Sequence, residues 1–145
     1  MNRNNRSRAG FTLIEILVVI LVLGVLAALV APNVFQHVGA SRTTAAKSQL
    51  ELVGAALDAY RLDNDSYPSS EQGLGALLTA PAGSPAPRNW RGPYLKKSVP
   101  ADPWGSPYVY RSPGADPKHD YELLSWGRDG KEGGTGEDAD IRSWD

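Results

Sequence analysis

The sequence predicts an α+β fold, in which one long N-terminal helix packs on a small antiparallel β-sheet. Three features predict it: an apolar run near the N-terminus, a helical periodicity in the polar region after Pro32, and short strand-like segments that are separated by glycine and proline in the C-terminal part. The chain has 145 residues, which is the usual length of one domain.

The first element is the apolar segment of residues 11–31. Ile16 to Ala31 contains no polar side chain, and the whole segment reaches about 20 residues, enough for a helix that spans a bilayer. Three arginines precede it, and the positive-inside rule places them in the cytoplasm and the polar remainder on the far side: Arg3, Arg6 and Arg8. We predict a retained membrane helix rather than a secretory signal, whose apolar region is usually about 7–15 residues.

Glu15 is the one charge inside this segment. A carboxylate in a membrane helix is costly, and it therefore indicates a functional site unless it reaches the headgroups from the helix end. The stretch Gly10-Phe11-Thr12-Leu13-Ile14-Glu15, with basic residues before it and an apolar run after it, resembles the processing signal of type IV pilins and pseudopilins. The resemblance implies that a prepilin peptidase cleaves between Gly10 and Phe11 and that Phe11 becomes N-methylated.

Cleavage after Gly10 would make residues 1–10 a leader peptide and would create an α-amine at Phe11. In a stack of staggered subunits this amine can pair with Glu15 of a neighbour, and the low dielectric makes such a pair strong. Phe11 and Glu15 are therefore the predicted assembly residues.

The second element is an amphipathic continuation of the helix over residues 32–63. Its apolar side chains recur at spacings of four and three, which places them on one helical face: Ala46, Leu50, Val53, Leu57 and Tyr60. Pro32 is predicted to kink the helix or to mark its exit from the membrane. The helix is predicted to end near Leu62, and residues 64–145 are predicted to form the globular region that covers the apolar face.

The remaining elements are short. Residues 71–78 are predicted as a short helical piece, Tyr108–Arg111 as one strand and Tyr121–Trp126 as another, with Tyr121, Leu123 and Ser125 on one face. A two- or three-stranded antiparallel sheet is the natural partner for the apolar face of the helix.

Several segments of this region are similar to the major pseudopilins of type II secretion systems, and the similarity covers residues 10–141. They are Tyr67-Pro68, Glu71-Gln72-Gly73-Leu74, Pro93-Tyr94-Leu95-Lys96-Lys97, Asp102-Pro103-Trp104-Gly105-Ser106-Pro107-Tyr108 and Gly127-Arg128-Asp129-Gly130. The resemblance implies a pilin-like fold and a periplasmic helical filament, the pseudopilus, which helps export folded proteins through the outer membrane. It also implies a single-pass protein of the Gram-negative inner membrane, with a cytoplasmic N-terminus and a periplasmic C-terminal domain.

The partners that this resemblance implies are further copies of the same chain, minor pseudopilins, the prepilin peptidase, the inner-membrane assembly platform with its ATPase, and the outer-membrane secretin. Membrane lipid would surround the apolar segment before assembly. A nucleic-acid partner is not expected, because the net charge is −1 and no basic stripe follows the leader.

Residues 126–141 form an acidic glycine loop with five carboxylates and five glycines. Calcium takes about six to eight oxygen ligands, which flexible loops supply from carboxylates and carbonyls. The spacing is not that of an EF-hand, and the residues by themselves favour a solvated acidic tail over a metal site.

The pseudopilin resemblance implies that this loop binds structural Ca²⁺. Asp129 is then the firmest ligand, followed by Asp138, with Asp140 or Glu137 as further candidates. The backbone carbonyls of Trp126 and Lys131 would complete the set. Because the chain has no cysteine, calcium would replace a disulfide as the link between the last strand and the chain end.

Other classes of protein are less well supported. An enzyme is not expected, because the only histidines are His37 and His119 and no cysteine nucleophile or Ser/His/Asp order exists. A type IV pilin for adhesion or motility is an alternative, although the chain lacks the paired C-terminal cysteines. Another is a membrane-anchored or secreted calcium-binding periplasmic module, which would begin after Ala28 or Ala31 if the apolar segment were a cleaved signal.

Overall fold

The computed structural model describes the backbone of residues 10–145, and the side chains of residues 10–29 and 39–145. The predicted leader therefore lies outside the described residues, except for Gly10. The chain divides into two units at the boundary between Val38 and Gly39. Helix α1, Leu13–Asn64, belongs to both units, and its helical assignment continues through Pro32.

In the first unit, the apolar side chains of residues 11–29 are exposed, from Phe11 at 79% to Leu29 at 66%. Such a continuous apolar surface is rare on a soluble monomer and indicates contact with lipid or with other chains. Among the described residues, no helix meets the length and apolar character that crossing a membrane requires. The side chains of residues 30 and 31, the last two of the predicted span over residues 11–31, lie outside the described part.

In the second unit, the predicted apolar face of α1 is confirmed as the core. All five of its residues are buried: Ala46, Leu50, Val53, Leu57 and Tyr60. Burial of one such leucine contributes about 1.5–3 kcal/mol relative to exposure, so this face supplies much of the stability of the unit.

The helix ends at Asn64, two residues beyond the predicted end at Leu62. Asn64 is buried and acts as a connector, because its Nδ2 donates to Tyr60 O at 2.9 Å and its Oδ1 accepts from Asn89 N at 3.0 Å. Asp65 follows with a φ of 64°, which the short polar side chain of aspartate tolerates. The last residue of the helix is therefore held by a contact with Asn89, 25 positions away, which the local pattern does not encode.

The region after the helix contains a 3₁₀-helix, Leu74–Leu77, in place of the predicted helical piece over residues 71–78. It begins only after Gly73, whose φ of 58° breaks the helical path. Ala76 and Leu77 are buried in the core against α1.

Three strands form one antiparallel sheet in the order β1–β2–β3: β1 is Val109–Arg111, β2 is Glu122–Ser125 and β3 is Ile141–Arg142. Tyr108, Tyr121 and Trp126 were predicted as strand residues but lie just outside. The register of β1 starts with Val109 opposite Leu124, and Gly127 turns the chain away after β2 with a φ of 65°.

The face of β2 that carries Leu123 and Ser125 is buried, as predicted, whereas Tyr121 before the strand is half-buried. Leu124 on the other face is buried too. The third strand places Ile141 opposite Ser125. The acidic glycine loop therefore connects two neighbouring strands of the sheet, from the end of β2 to the start of β3.

Candidate functional site

The predicted processing site lies at the start of α1. Gly10 and Phe11 are exposed and precede the helix, so the bond between them is outside regular structure. Thr12 is the last residue before the helix, and its Oγ1 accepts a hydrogen bond from Glu15 N at 3.3 Å. Its carbonyl oxygen also accepts from Glu15 N at 3.1 Å and from Ile16 N at 3.3 Å.

This arrangement gives Glu15 a role that the sequence analysis missed. Thr12 caps the helix, and Glu15 follows three residues later in its first turn, which is the spacing of a capping box. A carboxylate in the first turn is stabilised by the positive end of the helix dipole. The Thr-x-x-Glu spacing was the available signal. Part of the cost of placing Glu15 in an apolar segment is therefore offset within its own helix.

The acidic glycine loop folds back on itself. Arg128 N donates to Glu137 O at 2.8 Å, which closes the loop four residues before Ile141 pairs in β3. Gly127 makes this closure possible. A Cβ atom there would lie 2.7 Å from the carbonyl oxygens of both Ala139 and Glu137, and the φ of 65° also disfavours any other residue.

Each of the three predicted carboxylate ligands has protein partners. Arg128 Nε lies 2.8 Å from Asp138 Oδ1 and Arg128 Nη2 lies 3.0 Å from Asp138 Oδ2, so the pair is bidentate. Asp140 accepts from Gly133 N at 3.0 Å and from Arg142 Nη2 at 3.1 Å. Asp129 accepts from Lys131 N at 3.1 Å in a local turn.

One arginine of this loop, Arg128, forms ion pairs with two acidic side chains. Glu137 Oε1 lies 3.9 Å from Arg128 Nη1, on the same guanidinium that binds Asp138. The hydrogen bond to Asp138, and then the charges of the surrounding carboxylates, raise the pKa of Arg128 above its ordinary value. Arg128 therefore stays cationic and serves as counter-charge for two acidic side chains.

The structure does not bring the predicted ligands Asp129, Asp138 and Asp140 together. Within residues 10–29 and 39–145, no group of three acidic, histidine or cysteine side chains is placed to hold a metal ion. The individual donor atoms are of the type that calcium takes, but the described side chains do not converge on one point. The loop offers only oxygen donors, its glycines turn the backbone tightly, and the side chain of Asp140 is only 7% exposed. The carbonyls of Trp126 and Lys131 flank Asp129 in the same loop.

Asp102 is a further residue of the site that the sequence analysis did not single out. It is 4% exposed, and its Oδ1 accepts from Trp104 N at 3.1 Å and Ser106 N at 2.8 Å. Its Oδ2 accepts from Ser125 Oγ, which in turn accepts from Gly127 N at 3.2 Å. The Asp-Pro-Trp-Gly turn is thereby connected to the first residues of the acidic glycine loop. The turn-forming residues were visible in the sequence, but the burial of Asp102 was not.

Gly39 is a second such residue. It is buried, and a Cβ atom there would lie 2.5 Å from Glu137 Cδ and 2.9 Å from Glu137 Cγ. The Glu137 side chain therefore lies directly on the backbone of α1 at Gly39 and would have to move to admit a Cβ there. The acidic glycine loop thus contacts the helix as well as the sheet.

Both the N-terminal and the C-terminal part of the chain match known protein families. Residues 33–144 match the family described as "Type II secretion system (T2SS), protein G", and residues 5–31 match the "Prokaryotic N-terminal methylation motif". Among curated relatives, "Type II secretion system core protein G" of Pseudomonas aeruginosa is 52% identical over 141 residues, 97% of each chain. The protein of the same description from Vibrio cholerae is 44% identical over 140 residues, 96% of this chain and 93% of its own.

A solved structure extends the comparison to the fold. The crystal structure of the major pseudopilin from the type 2 secretion system of enterohaemorrhagic Escherichia coli is 37% identical and superimposes with a TM-score of 0.65. The match covers 78% of this chain and 95% of that one. The predicted α+β fold and the resemblance to the major pseudopilins are confirmed. The chain belongs to the protein G family of the type II secretion system.

Proposed function

We propose that this chain is the major structural subunit of a type II secretion pseudopilus and polymerises into a periplasmic filament that helps export folded proteins. The observation that carries the proposal is that one chain contains both an exposed apolar helical segment and a small folded domain. An exposed apolar half of α1, which begins at a capped Thr-x-x-Glu turn, is joined to a small sheet domain whose own core is complete. Such an apolar surface needs lipid before assembly and other copies of the same helix after it.

Processing prepares the subunit for assembly. A prepilin peptidase would cut between Gly10 and Phe11 on the cytoplasmic face and remove three arginines, and Phe11 would become N-methylated. The subunit would remain a single-pass protein of the inner membrane, with residues 64–145 as its periplasmic globular region. Support comes from the exposed, non-helical peptide at Gly10 and from the match of residues 5–31 to the methylation motif.

Assembly would pair the new α-amine of Phe11 with Glu15 of a neighbouring copy. The Thr12 cap supports this role because it holds Glu15 in the first turn of the helix, four residues after Phe11. The pair would neutralise two charges in an apolar environment, where neither is stable alone. Minor pseudopilins, the inner-membrane platform with its ATPase and the outer-membrane secretin would be the further partners.

The function is structural rather than enzymatic. Members of the family are described as secretion core proteins and as a pseudopilin. The buried carboxylate of Asp102 has a structural role, because it accepts hydrogen bonds from two backbone amides and one hydroxyl.

A calcium ion would stabilise the acidic glycine loop. Asp129, Asp138 and Asp140 would supply carboxylate oxygens, with Glu137 as the alternative, and Trp126 and Lys131 would supply carbonyls. The ion would tie β3 to the end of β2 by neutralising acidic side chains that crowd within one loop. A thermal melt of the full chain in detergent, with EGTA and with calcium, tests this part: an unchanged midpoint would refute the site.

The test of the filament proposal is Glu15→Ala, with Glu51→Ala as the matched control on the exposed face of the same helix. Both variants should be cleaved after Gly10, but only Glu15→Ala should fail to form sedimentable filaments. Filament formation by Glu15→Ala at the wild-type level would contradict the pairing of Phe11 with Glu15.

Mass spectrometry of the mature wild-type protein tests the processing. A start at N-methyl-Phe11 is expected, whereas a start after Ala28 or Ala31 would favour a calcium-binding module with a cleaved signal. Complementation of a strain that lacks its own major pseudopilin distinguishes the remaining alternative, because a type IV pilin would not restore protein export.

A further inference from the structure

Residues 96–101, here called the strap, form an irregular segment that lies between α1 and the 3₁₀-helix. Within the part of the chain that the structure describes, no hydrogen bond or ion pair involves the main chain or the side chains of the strap. Its backbone polar groups are left to water, which does not hold a chain in one position. Segments with few internal contacts of this kind have the lowest local stability in a folded domain.

Hydrogen bonds fix the chain on both sides of the strap. On the N-terminal side, Tyr94 N and Leu95 N both donate to Leu77 O, at 2.7 Å and 3.3 Å. On the C-terminal side, Asp102 N donates to Ser106 O at 2.8 Å, and the side chain of Asp102 is buried. The strap can therefore change its position while the residues before and after it keep theirs.

Two hollows flank the strap. One, of about 730 Å³, lies against α1 and is lined by helix residues that include Ala56 and Ala59. The other, of about 430 Å³, lies against the 3₁₀-helix and is lined by Leu74 and Gly75 among others. The strap residues that line both hollows are the same: Ser98, Val99 and Pro100. Because close packing is what normally holds a segment in place, space on both sides leaves the strap free to move either way.

Val99 is the largest apolar side chain of the strap. It is half-buried and packs against the edge of the core. Burial of apolar surface is favourable in any direction, and Val99 lines both hollows, so either hollow can take this side chain. Movement of the strap therefore exchanges one buried position of Val99 for another.

We propose that the strap is a two-position latch over the outer face of α1. In one position Val99 packs towards α1, and the strap covers Ala56. In the other position the strap moves towards the 3₁₀-helix and uncovers Ala56 beside Leu52, which is already 65% exposed. The domain stays folded in both positions, because the hydrogen bonds on both sides of the strap do not change. The latch thereby controls how much apolar surface of α1 the domain exposes.

The test measures how fast a single thiol reacts with iodoacetamide in the full chain in detergent, which is possible because the chain has no cysteine of its own. Ala56→Cys places the thiol beneath the strap, at a side chain that is 6% exposed. Ala46→Cys is the matched control, because Ala46 is buried on the same face of α1 and is not part of the lining of either hollow.

The Ala56→Cys protein should react faster than the Ala46→Cys protein at low urea. Its rate should hardly change with urea, because movement of the latch exposes little surface. The Ala46→Cys protein should react only through global unfolding, so its rate should rise steeply with urea.

A second substitution tests where the strap moves. Gly75→Leu fills the hollow against the 3₁₀-helix, and a Cβ atom at Gly75 would meet nothing within 4 Å. In the Ala56→Cys background it should slow the reaction about tenfold or more, because overpacking disfavours the uncovered position. Ala101→Leu, which fills the same hollow from the strap, should have the same effect. Neither leucine should slow the reaction of the Ala46→Cys protein.

Two results would overturn the latch. Equal and steeply urea-dependent rates at the two positions would mean that the strap never uncovers Ala56. A fast reaction of the Ala56→Cys protein that neither leucine slows would mean that the thiol is accessible without movement of the strap into the second hollow. If Gly75→Leu speeds the reaction of the Ala46→Cys protein, it has lowered the global stability, and Ala101→Leu then decides: a slower reaction of the Ala56→Cys protein supports the latch and an unchanged one refutes it.

Discussion

The carboxylate of Asp102 accepts a hydrogen bond from Ser125 Oγ at 2.5 Å inside the core of the domain. The two residues are 23 positions apart, and the contact joins the Asp-Pro-Trp-Gly turn to the last residue of β2. Because Ser125 also accepts from Gly127 N, the same contact sets the direction in which the acidic glycine loop leaves the sheet. The buried Asp102 carboxylate is thus the shared hydrogen-bond acceptor, here called the Asp102 hub, for two backbone amides and the Ser125 hydroxyl.

The first prediction concerns this hub. Asp102→Ala would leave Trp104 N, Ser106 N and the hydroxyl of Ser125 without their acceptor in a buried site, and an unsatisfied buried donor costs about 1–3 kcal/mol. We expect the free energy of unfolding to fall by about 2–4 kcal/mol in denaturant titrations that are followed by circular dichroism. Glu71→Ala, at an exposed position, is the control and should stay within about 0.5 kcal/mol of the wild type. Equal stability of the two variants would contradict the hub.

The second prediction tests the apolar face of α1 with one substitution at two positions of the same helix. Leu57 is fully buried, whereas Leu52 is 65% exposed. Leu57→Ala should destabilise the domain by about 2–5 kcal/mol, because it removes buried methyl groups and leaves a cavity. Leu52→Ala should change the free energy of unfolding by less than about 0.5 kcal/mol. A large effect of Leu52→Ala on the isolated, unassembled protein would show that the buried face has been misidentified.

The third prediction concerns the backbone of the acidic glycine loop. Gly127→Ala and Gly133→Ala both place a side chain at a positive φ, of 65° and 95°. Only the new methyl group at residue 127 would lie 2.7 Å from two carbonyl oxygens, while the one at residue 133 would meet nothing within 4 Å. Gly127→Ala should therefore lower the melting midpoint clearly more than Gly133→Ala and should open the loop to limited proteolysis. Identical midpoints would mean that φ alone matters at both positions.

The fourth prediction concerns alkaline pH. Burial raises the pKa of Tyr108 to about 12, with a further contribution from the charge of Asp102, and burial with the charge of Asp58 raises the pKa of Tyr121 to about 12. A pKa that is higher in the folded state stabilises the protein below the pKa of the unfolded state, which is about 10 for tyrosine. This stability is lost as the pH rises from about 10 to about 12.

We therefore expect a melting midpoint that does not respond to these tyrosines between pH 7 and 9 and that falls between pH 10 and 12. Tyrosine ionisation, followed by absorbance near 295 nm, should coincide with the fall. The melting midpoint of Tyr121→Phe should fall less steeply with pH in that range, because one of the tyrosines whose ionisation favours unfolding is missing. Ionisation of all tyrosines near pH 10 in the folded protein would contradict the assignment.

Much of the first half of the chain is readable from the sequence because the signals are local. The spacing of Ala46, Leu50 and Val53 by four and three residues depends only on the helical period, and all three are buried. The processing motif is likewise a run of adjacent residues. The Thr12 cap was readable in the same way, through its distance of three residues from Glu15, although the sequence analysis considered only the charge.

The acidic glycine loop is less predictable because its contacts depend on closure of the chain. Its residues by themselves favoured a solvated acidic tail, and only the pseudopilin resemblance implied a cation site. Neither says which cationic side chain lies nearest to which carboxylate. The fold places Arg128 against Asp138 and Arg142 against Asp140, so two of the predicted ligands face arginines. The contact between Gly39 and Glu137 joins residues from opposite ends of the domain, and no periodicity links them.

The sequence by itself determined the long helix, its apolar face, the processing signal and the family, because each of these depends on residues that are adjacent or one helical turn apart. The tertiary structure decided the burial of Asp102, the third strand at Ile141 and the pairing of Arg128 with Asp138. These features require residues that are distant in the chain to meet. Which side chains are buried and which charges pair depends on which segments pack together, and this packing exists only in the folded domain.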